Sequence, residues 1–444
     1  MNILFIELEM DRNWAVASIG PAYLSAFVAQ NGHTSELMSL PVDLSTEAAV
    51  QKIIEHQPDI IALSLTTRQW LRAKHLCRTL REVSSIPTII GGLHPTFAPE
   101  ESIEQEGIDY LCLGEGEAAF LEFIEVLESK GFVDDQEVDN IWVKGGRRPK
   151  IKPPIEPLDS IPYMDRSLLA EQHGVVHMVT QRGCPFPCTY CAARMYNDMY
   201  GNQAYGRRRT IEHVLSELEE LKSKGASYVI YLDDTFTINH KWIRQFLPLY
   251  SSRIGLPFSI HARAETISKD LLKRLSDAGC SQITYGVESG SERLRYEVMK
   301  RKVSNKRLIE AFQWTHDLGI ISTANYIIGT PTETINDLEQ TIALHEELNP
   351  TDFGYFVFYP YPGTPLYGYC LENNHLPENF ADIPVNHRRS ILINNTLTIE
   401  DIDEYYEKFS RVREKGFLDQ YGKWIDDNGK KELSKQIEHI AQTG

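Results

Sequence analysis

The chain has 444 residues, 42% apolar and 24% charged, and its 45 Lys and Arg against 62 Asp and Glu leave a formal charge of −17. That length exceeds one typical domain, and the composition is that of a globular protein. The negative balance argues against a nucleic-acid partner, which needs a positive footprint, and no apolar run approaches the roughly 18 residues that span a bilayer. The N-terminus begins directly as a strand, with no basic region or cleavage site, and the seven cysteines are an odd number. Both features predict reduced thiols and a cytoplasmic location.

Up to about residue 130 strands and helices alternate. Residues 2–7 predict a buried strand, 20–30 a helix stopped by Asn31-Gly32, 34–38 a strand and 46–56 a helix. The apolar run 59–65 predicts a strand covered on both faces, followed by a helix at 74–83 and strands at 87–91 and 109–113. This alternation predicts a doubly wound parallel sheet that takes ligands in loops beyond the carboxyl ends of its strands. Those loops are 7–20, 64–70, 91–96 and 114–117. Gly91 and Gly92 allow either close approach of a ligand or a tight turn, and Ser64 and Thr66 offer short hydroxyls to the same crevice.

The pattern breaks between residues 128 and 169, where 144–149 predict a hairpin tip and the proline-rich 152–162 an extended connector holding the domain boundary. A second series follows, with strands at 175–180, 228–232, 258–263, 282–287, 322–328 and 353–358 and helices between them. Six strand–helix units predict a partial βα barrel with its chemistry at the carboxyl ends of the strands. From Asn394 onward the tail reads as amphipathic helix, with Ile402, Tyr405, Tyr406 and Phe409 on one face to pack over the barrel or shape its mouth.

The loop after the first barrel strand carries Cys184, Cys188 and Cys191 in a C-x-x-x-C-x-x-C spacing. Gly183, Pro185 and Pro187 exclude regular structure there, so the backbone wraps. Three thiolates this close suit a metal centre with one position left open. Zinc is the competing occupant, but it wants a fourth Cys or His nearby, and His173 and His177 read as packing residues. Cys77, Cys112, Cys280 and Cys370 read as isolated buried thiols.

With Tyr190 before its last cysteine, this motif resembles the radical S-adenosylmethionine (SAM) superfamily. The resemblance covers about residues 172–370. It implies a 4Fe–4S cluster held by Cys184, Cys188 and Cys191, with SAM on the open iron. It places Asp233, or alternatively Asp234, on the methionine amino group, unless an acid there caps the next helix. In the segment Tyr285-Gly-Val-Glu-Ser-Gly-Ser-Glu-Arg293, Glu288 and Ser289 fall on the ribose or methionine portion. Arg293 and Arg263 are the two candidates for the carboxylate, or else surface ion-pair partners. Ile328 and Gly329 lie in the segment that cradles adenine, where Thr332 stands in place of a common glycine, and Tyr190 is either an adenine neighbour or a core aromatic.

Residues 1–130 resemble the cobalamin-binding domain fused to radical SAM enzymes, through Ser64, Thr66, Gly91, Gly92, His94, Gly114, Glu115 and Gly116. The Asp-x-His-x-x-Gly of cobalamin mutases is absent from 7–20, so no histidine serves cobalt's lower face; Met10 or Trp14 would cover it, unless both only pack. The alternative is a domain that keeps the fold and has lost the cofactor.

Together these readings predict an α/β protein: a Rossmann-like cobalamin-binding domain at 1–130, a hairpin and linker at 131–170, a partial (β/α)6 TIM-like radical SAM barrel at 171–370 and a mainly helical extension at 371–444. The resemblance implies SAM cleavage to a 5′-deoxyadenosyl radical and cobalamin-dependent methylation of an unactivated carbon of a small molecule, lipid or natural-product precursor. It also implies a reductant such as flavodoxin or ferredoxin. The rival readings are oxidative cyclisation of the anaerobic porphyrin cyclase kind and a non-catalytic corrinoid or electron carrier. No residue is assignable as a substrate acid or base.

Overall fold

The computed structural model describes residues 1–10, 18–393 and 395–421. Trp14 and most of the 11–20 loop, Asn394 and the tail beyond 421 therefore lie outside the described residues. The chain folds as two compact units: Met1–Phe186 with Cys191–Ser227 and Tyr361–Thr364, and a second built from Pro187–Tyr190, Tyr228–Pro360 and the chain from Pro365.

In chain order the first unit holds β1 (Asn2–Leu8), α1 (Ile19–Ala29), β2 (Thr34–Leu40), α2 (Thr46–His56), β3 (Ile60–Ser64), α3 (Thr67–Val83) and β4 (Thr88–Gly91). It continues through α4 (Leu93–Phe97), α5 (Pro99–Glu104), β5 (Tyr110–Cys112), α6 (Glu117–Lys130) and β6 (Ile141–Val143). Then come β7 (Val175–Met178), β8 (Gln181–Arg182), α7 (Ala192–Met199), β9 (Arg207–Arg208) and α8 (Ile211–Ser223). The second unit holds β10 (Tyr228–Tyr231), α9 (His240–Arg253), β11 (Phe258–Ala262), α10 (Lys269–Asp277) and β12 (Cys280–Glu288). It closes with α11 (Asn305–Asp317), β13 (Ile321–Ile328), α12 (Ile335–Leu348), β14 (Asp352–Val357), α13 (Pro365–Glu372) and α14 (Ile399–Tyr421).

The first sheet has the order β2-β1-β3-β4-β5-β6, parallel except for the β5–β6 edge. Period-two alternation divides its side chains cleanly. Ile3, Phe5, Ile60, Ala62 and Ile89 enter one core with Ala22 and Val28 of α1 and Phe120, Phe123 and Leu127 of α6. Leu4, Ile6, Ile61, Leu63 and Ile90 enter the other with Val50 and Ile53 of α2 and Trp70, Leu76 and Leu80 of α3. Each of the larger apolar side chains among them contributes about 1.5–3 kcal/mol when fully buried, which is why continuous apolar strands sit between two helix layers.

Sequence reasoning missed several features of this unit. The segment 64–70 is mostly helix, because Thr66 and Gln69 form a capping box that starts α3 at Thr67. Part of the 91–96 loop is the short helix α4, and α6, β6, α7 and the β8–β9 ladder were not foreseen. In the 131–170 linker Leu158, Ile161, Met164, Leu168 and Leu169 are buried in the α1–α6 core.

The sheet of the second unit has the order β14-β13-β12-β11-β10. Its pairs from β10 to β14 are parallel, with register shifts at Phe258/Ser259 and at Gly286/Glu288. Tyr285 donates to or accepts from Thr315 of α11 at 2.8 Å, and Tyr326 stands 3.1 Å from Nδ1 of His345 on α12, so these side chains mark the helix-covered face. Ser268, Ser304 and Thr334 cap α10, α11 and α12 with their hydroxyls, each worth about 1 kcal/mol. On α14, Ile402, Tyr405 and Phe409 are buried; Phe409 stacks on Tyr355 at 5.5 Å, which places this helix over β14.

Candidate active site

The strand pair β8–β9 carries the chain into the cysteine loop. Gly183 is fixed there by both backbone and space: its φ is +78°, and a Cβ would fall 2.4 Å from the Ala204 carbonyl oxygen. Cys184 and Cys188 are buried, while Cys191 is partly exposed and immediately precedes α7. Asn197 on α7 donates to the Cys184 carbonyl at 2.8 Å. Within the second unit Thr189 donates its amide to Met299 and its hydroxyl to Val298, at 3.2 and 2.7 Å. Among the described residues no three His, Cys, Asp or Glu side chains converge on one point as a single ion requires. A cluster takes each thiolate at a separate iron, and three cysteines on one wrapped loop are a donor set that fits it.

Around Cys188 the second unit assembles a chain of charges. Glu265 takes Nε and Nη2 of Arg263 at 3.2 and 2.5 Å, and Nη1 of Arg263 then donates to Sγ of Cys188 at 3.2 Å. Arg301 lies nearby, buried, with Nη1 3.9 Å from Glu288 Oε1 and Nη2 donating to the Gly286 carbonyl. Burial alone would lower the Arg301 pKa, but Tyr190, Glu288, Glu265 and Cys188 more than offset that and hold it protonated. Glu288 has a left-handed backbone, φ +69°, at the bulge ending β12. Its carboxylate folds back so closely that a Cβ on Gly286 would meet Oε1 at 2.3 Å. Strain of this kind costs about 1–3 kcal/mol and persists where the surroundings impose it. Neither Glu265 nor Arg301 was singled out from sequence: Glu265 stands two residues beyond Arg263 and Arg301 eight residues beyond the Tyr285–Arg293 segment, with no periodicity to flag them.

The other expected SAM contacts are distributed differently. Asp233 is buried and Asp234 exposed at the end of β10. Ser289 is buried and its hydroxyl pairs with Thr341 of α12 at 3.2 Å. Arg293 donates through Nη2 to Asp337 at 2.6 Å and to the Thr332 carbonyl at 2.9 Å, so it secures the start of α12. Ile328 ends β13, and Gly329, φ +77°, is so close to α14 that a Cβ would touch Ile402 at 3.0 Å. Thr332 does adopt a glycine-like φ of +65°. Glu333 is wholly buried; Oε2 accepts from the Thr330 amide at 2.8 Å and Oε1 has no hydrogen-bond partner. Burial raises its pKa to about 8, which keeps the side chain protonated at neutral pH. Tyr190 packs against the Phe358, Leu366 and Cys370 cluster.

In the first unit the loops beyond β3, β4 and β5 lie along the carboxyl edge of a parallel 2-1-3-4-5 sheet, the edge at which such folds bind ligands. Thr66 caps α3. Ser64 Oγ would lie 3.2 Å from a Cβ on Gly20 and 3.1 Å from one on Gly92, whose φ is +93°. Gly92 is also required by Leu65, whose backbone nitrogen a Cβ would meet at 2.7 Å, whereas a Cβ on Gly91 would be in tight contact with the Cys112 carbonyl at 3.2 Å. His94 is buried, stacked 4.4 Å from Trp70, with Nδ1 3.3 Å from Thr67 Oγ1. Its Nε2 has no hydrogen-bond partner, and burial pulls its pKa down to about 3. That orphaned, neutral nitrogen at the end of β4 fits a polar ligand group in this crevice.

The last loop is held from inside the unit. A Cβ on Gly114 would meet the Tyr200 hydroxyl at 2.2 Å, and that hydroxyl accepts from the Glu115 amide at 2.8 Å. Gly116 precedes α6 and approaches Cys112 Sγ. The carboxylate of Glu115, expected on the cofactor, is taken instead by Arg207, a partner 92 residues away that sequence cannot show. Arg182, one residue before Gly183, pairs with Glu117 and lies 3.6 Å from Glu115.

Comparison with known proteins agrees with both halves of this geometry. The Radical SAM superfamily matches residues 178–345 and the B12 binding domain matches 15–124. An uncharacterised methyltransferase of Pyrococcus horikoshii is 27% identical over 419 residues, spanning 91% of this chain and 87% of its own. The anaerobic magnesium-protoporphyrin IX monomethyl ester cyclase of Rubrivivax gelatinosus is 27% identical over 394 residues, spanning 83% and 69%. The solved structure of the radical SAM methyltransferase TsrM from Kitasatospora setae, with cobalamin and a 4Fe–4S cluster bound, shares the fold with a TM-score of 0.69 at 17% identity, over 96% of this chain and 82% of that one.

A cysteine loop leading into a parallel βα sheet, matched by that superfamily over residues 178–345, makes this chain a radical SAM enzyme. With a B12-binding domain ahead of the radical SAM domain, it belongs to the cobalamin-binding radical SAM enzymes, whose cofactors are a 4Fe–4S cluster, SAM and cobalamin. Among the described residues no helix is long and apolar enough to cross a membrane.

Proposed function

We propose that the enzyme methylates an unactivated carbon of a small molecule, lipid or natural-product precursor, in the cytoplasm, with electrons from a flavodoxin or ferredoxin. The observation that carries this reading is the pairing in one chain of a B12-binding sheet with a three-cysteine radical SAM loop, the combination present in the cobalamin-bound methyltransferase of the same fold. When bound, the cluster and SAM supply a 5′-deoxyadenosyl radical, and cobalamin supplies a carrier for a methyl group.

The chain's own residues bind and orient these groups. Cys184, Cys188 and Cys191 would hold the cluster, and Asp233 and Glu288 would contact the methionine and ribose portions of SAM. The backbone at Ile328 and Gly329 borders adenine, with the protonated Glu333 fixing that turn. Ser64, His94 and the backbone of Gly91, Gly92 and 114–116 border the corrinoid. We assign residues 1–130 to cobalamin, 131–170 to the connector, 171–370 to the barrel and 371–444 to the extension.

The test uses anaerobically reconstituted protein with cobalamin, dithionite and SAM carrying a trideuterated methyl group. Methylation predicts deoxyadenosine together with the deuterated methyl on cobalamin, read by mass spectrometry. Deoxyadenosine without label on cobalamin would sink methyl transfer and favour the cyclase-type reading, which the equally identical Rubrivivax relative keeps in view. A carrier would make no deoxyadenosine.

A further inference from the structure

The Arg263–Cys188 contact has a consequence for the cluster itself. Arg263 is buried, and Glu265 occupies its Nε/Nη2 edge. A guanidinium is planar, so once one edge is fixed the direction of the remaining nitrogen is fixed too. That nitrogen, Nη1, points at Cys188 Sγ from 3.2 Å, within the reach of an N–H···S hydrogen bond. The arginine therefore addresses a cluster ligand rather than open space.

We propose that Arg263 is a positioning residue that sets the reduction potential of the cluster, with Glu265 as the clamp that aims it. Reducing the cluster by one electron adds negative charge to the iron–sulfur core and its thiolates. A cationic N–H donor on one thiolate sulfur stabilises that added charge, and hydrogen bonds to the sulfurs are a principal determinant of such potentials. Burial strengthens the effect, because little water screens it. Glu265 works in the opposite direction as a counter-charge, so the pair tunes the potential rather than simply raising it. This inference rests on the cluster sitting at Cys184, Cys188 and Cys191, which iron and sulfide analysis reports independently of the potential.

The experiment is a potentiometric EPR titration of the reconstituted holoenzyme without SAM, comparing wild type with R263M, R263K and E265Q. R263M is expected to move the midpoint negative by roughly a tenfold change in the oxidised-to-reduced ratio, about 59 mV for one electron. R263K, which keeps the charge but loses the fork, falls between. E265Q, which removes the counter-charge, moves the midpoint positive. A midpoint unmoved in R263M at full iron content overturns the proposal. If R263M assembles no cluster, unmoved midpoints in both R263K and E265Q overturn it. Absence of iron from wild type would sink the cluster assignment, a different failure.

Discussion

Arg207 grips Glu115 with both terminal guanidinium nitrogens, Nη2 to Oε1 at 2.6 Å and Nη1 to Oε2 at 3.0 Å. Arg207 lies on β9, whose partner β8 leads into Cys184, and Glu115 lies on the loop that follows β5. Arg182 on β8 adds a second tie through Glu117. Burial pushes the Glu117 carboxyl up, but Arg182 more than offsets it and holds it below the usual carboxylate range. The strand pair that flanks the cysteine loop is thus fastened to the loop proposed to border the corrinoid.

Replacing Glu115 with Ala leaves Arg207, 4% exposed, as a buried charge without this partner. The expected cost is about 3–5 kcal/mol in urea unfolding, because the guanidinium stays desolvated. The double variant E115A/R207M should recover most of it. Iron incorporation should fall in E115A, and an E115A protein as stable as wild type would contradict the account.

Gly290 lies in the Glu288–Arg293 segment, and a Cβ there would meet the Gln340 carbonyl oxygen at 2.1 Å and the Thr341 Cα at 2.4 Å. Both are backbone atoms of α12, which must shift to make room. Gly290→Ala should destabilise by about 1–3 kcal/mol or more. Gly368→Ala is the control: nothing lies within 4 Å of its Cβ and it is helical, so a small gain is expected. Equal melting temperatures for the two variants would refute the packing argument.

Glu333 ionises near 4.5 when unfolded and near 8 when folded. Its folded pKa is raised, so its contribution to stability is complete below pH 4.5 and is lost as pH rises towards 8. Glu333→Gln keeps the neutral shape and should flatten that decline. At pH 8 it should be more stable than wild type by on the order of 4 kcal/mol. Identical pH–stability slopes for the two proteins between 5 and 8 would exclude a buried, protonated Glu333.

His94 has the opposite sign. Burial lowers its pKa from 6.5 to about 3, so the folded protein resists a proton that the unfolded chain accepts. Its contribution is complete above pH 6.5 and is lost as pH falls towards 3. His94→Gln should reduce the slope of stability against pH in that window, measured by chemical denaturation at fixed pH values. If cobalamin borders Nε2, the same variant should also bind it more weakly.

Local pattern was enough for much of this protein. The apolar runs of β1, β3 and β4, the capped helices α2, α8, α10 and α11, and the cysteine spacing all rest on interactions within a few residues, which is where period and propensity act. Thr332 was legible as a glycine position, and its φ of +65° agrees. Partnership across the chain was not. Arg263 and Arg293 looked interchangeable in sequence, yet one is aimed at Cys188 and the other at Asp337. Glu115 read as a cofactor contact until Arg207 was placed against it.

Sequence by itself determined the two βα series, the three thiols and the class of chemistry, because each is written in residue type and short spacing. Tertiary structure alone decided which charges meet. A guanidinium selects its carboxylate by position in space, and positions 92 residues apart come together only when the sheet between them has formed.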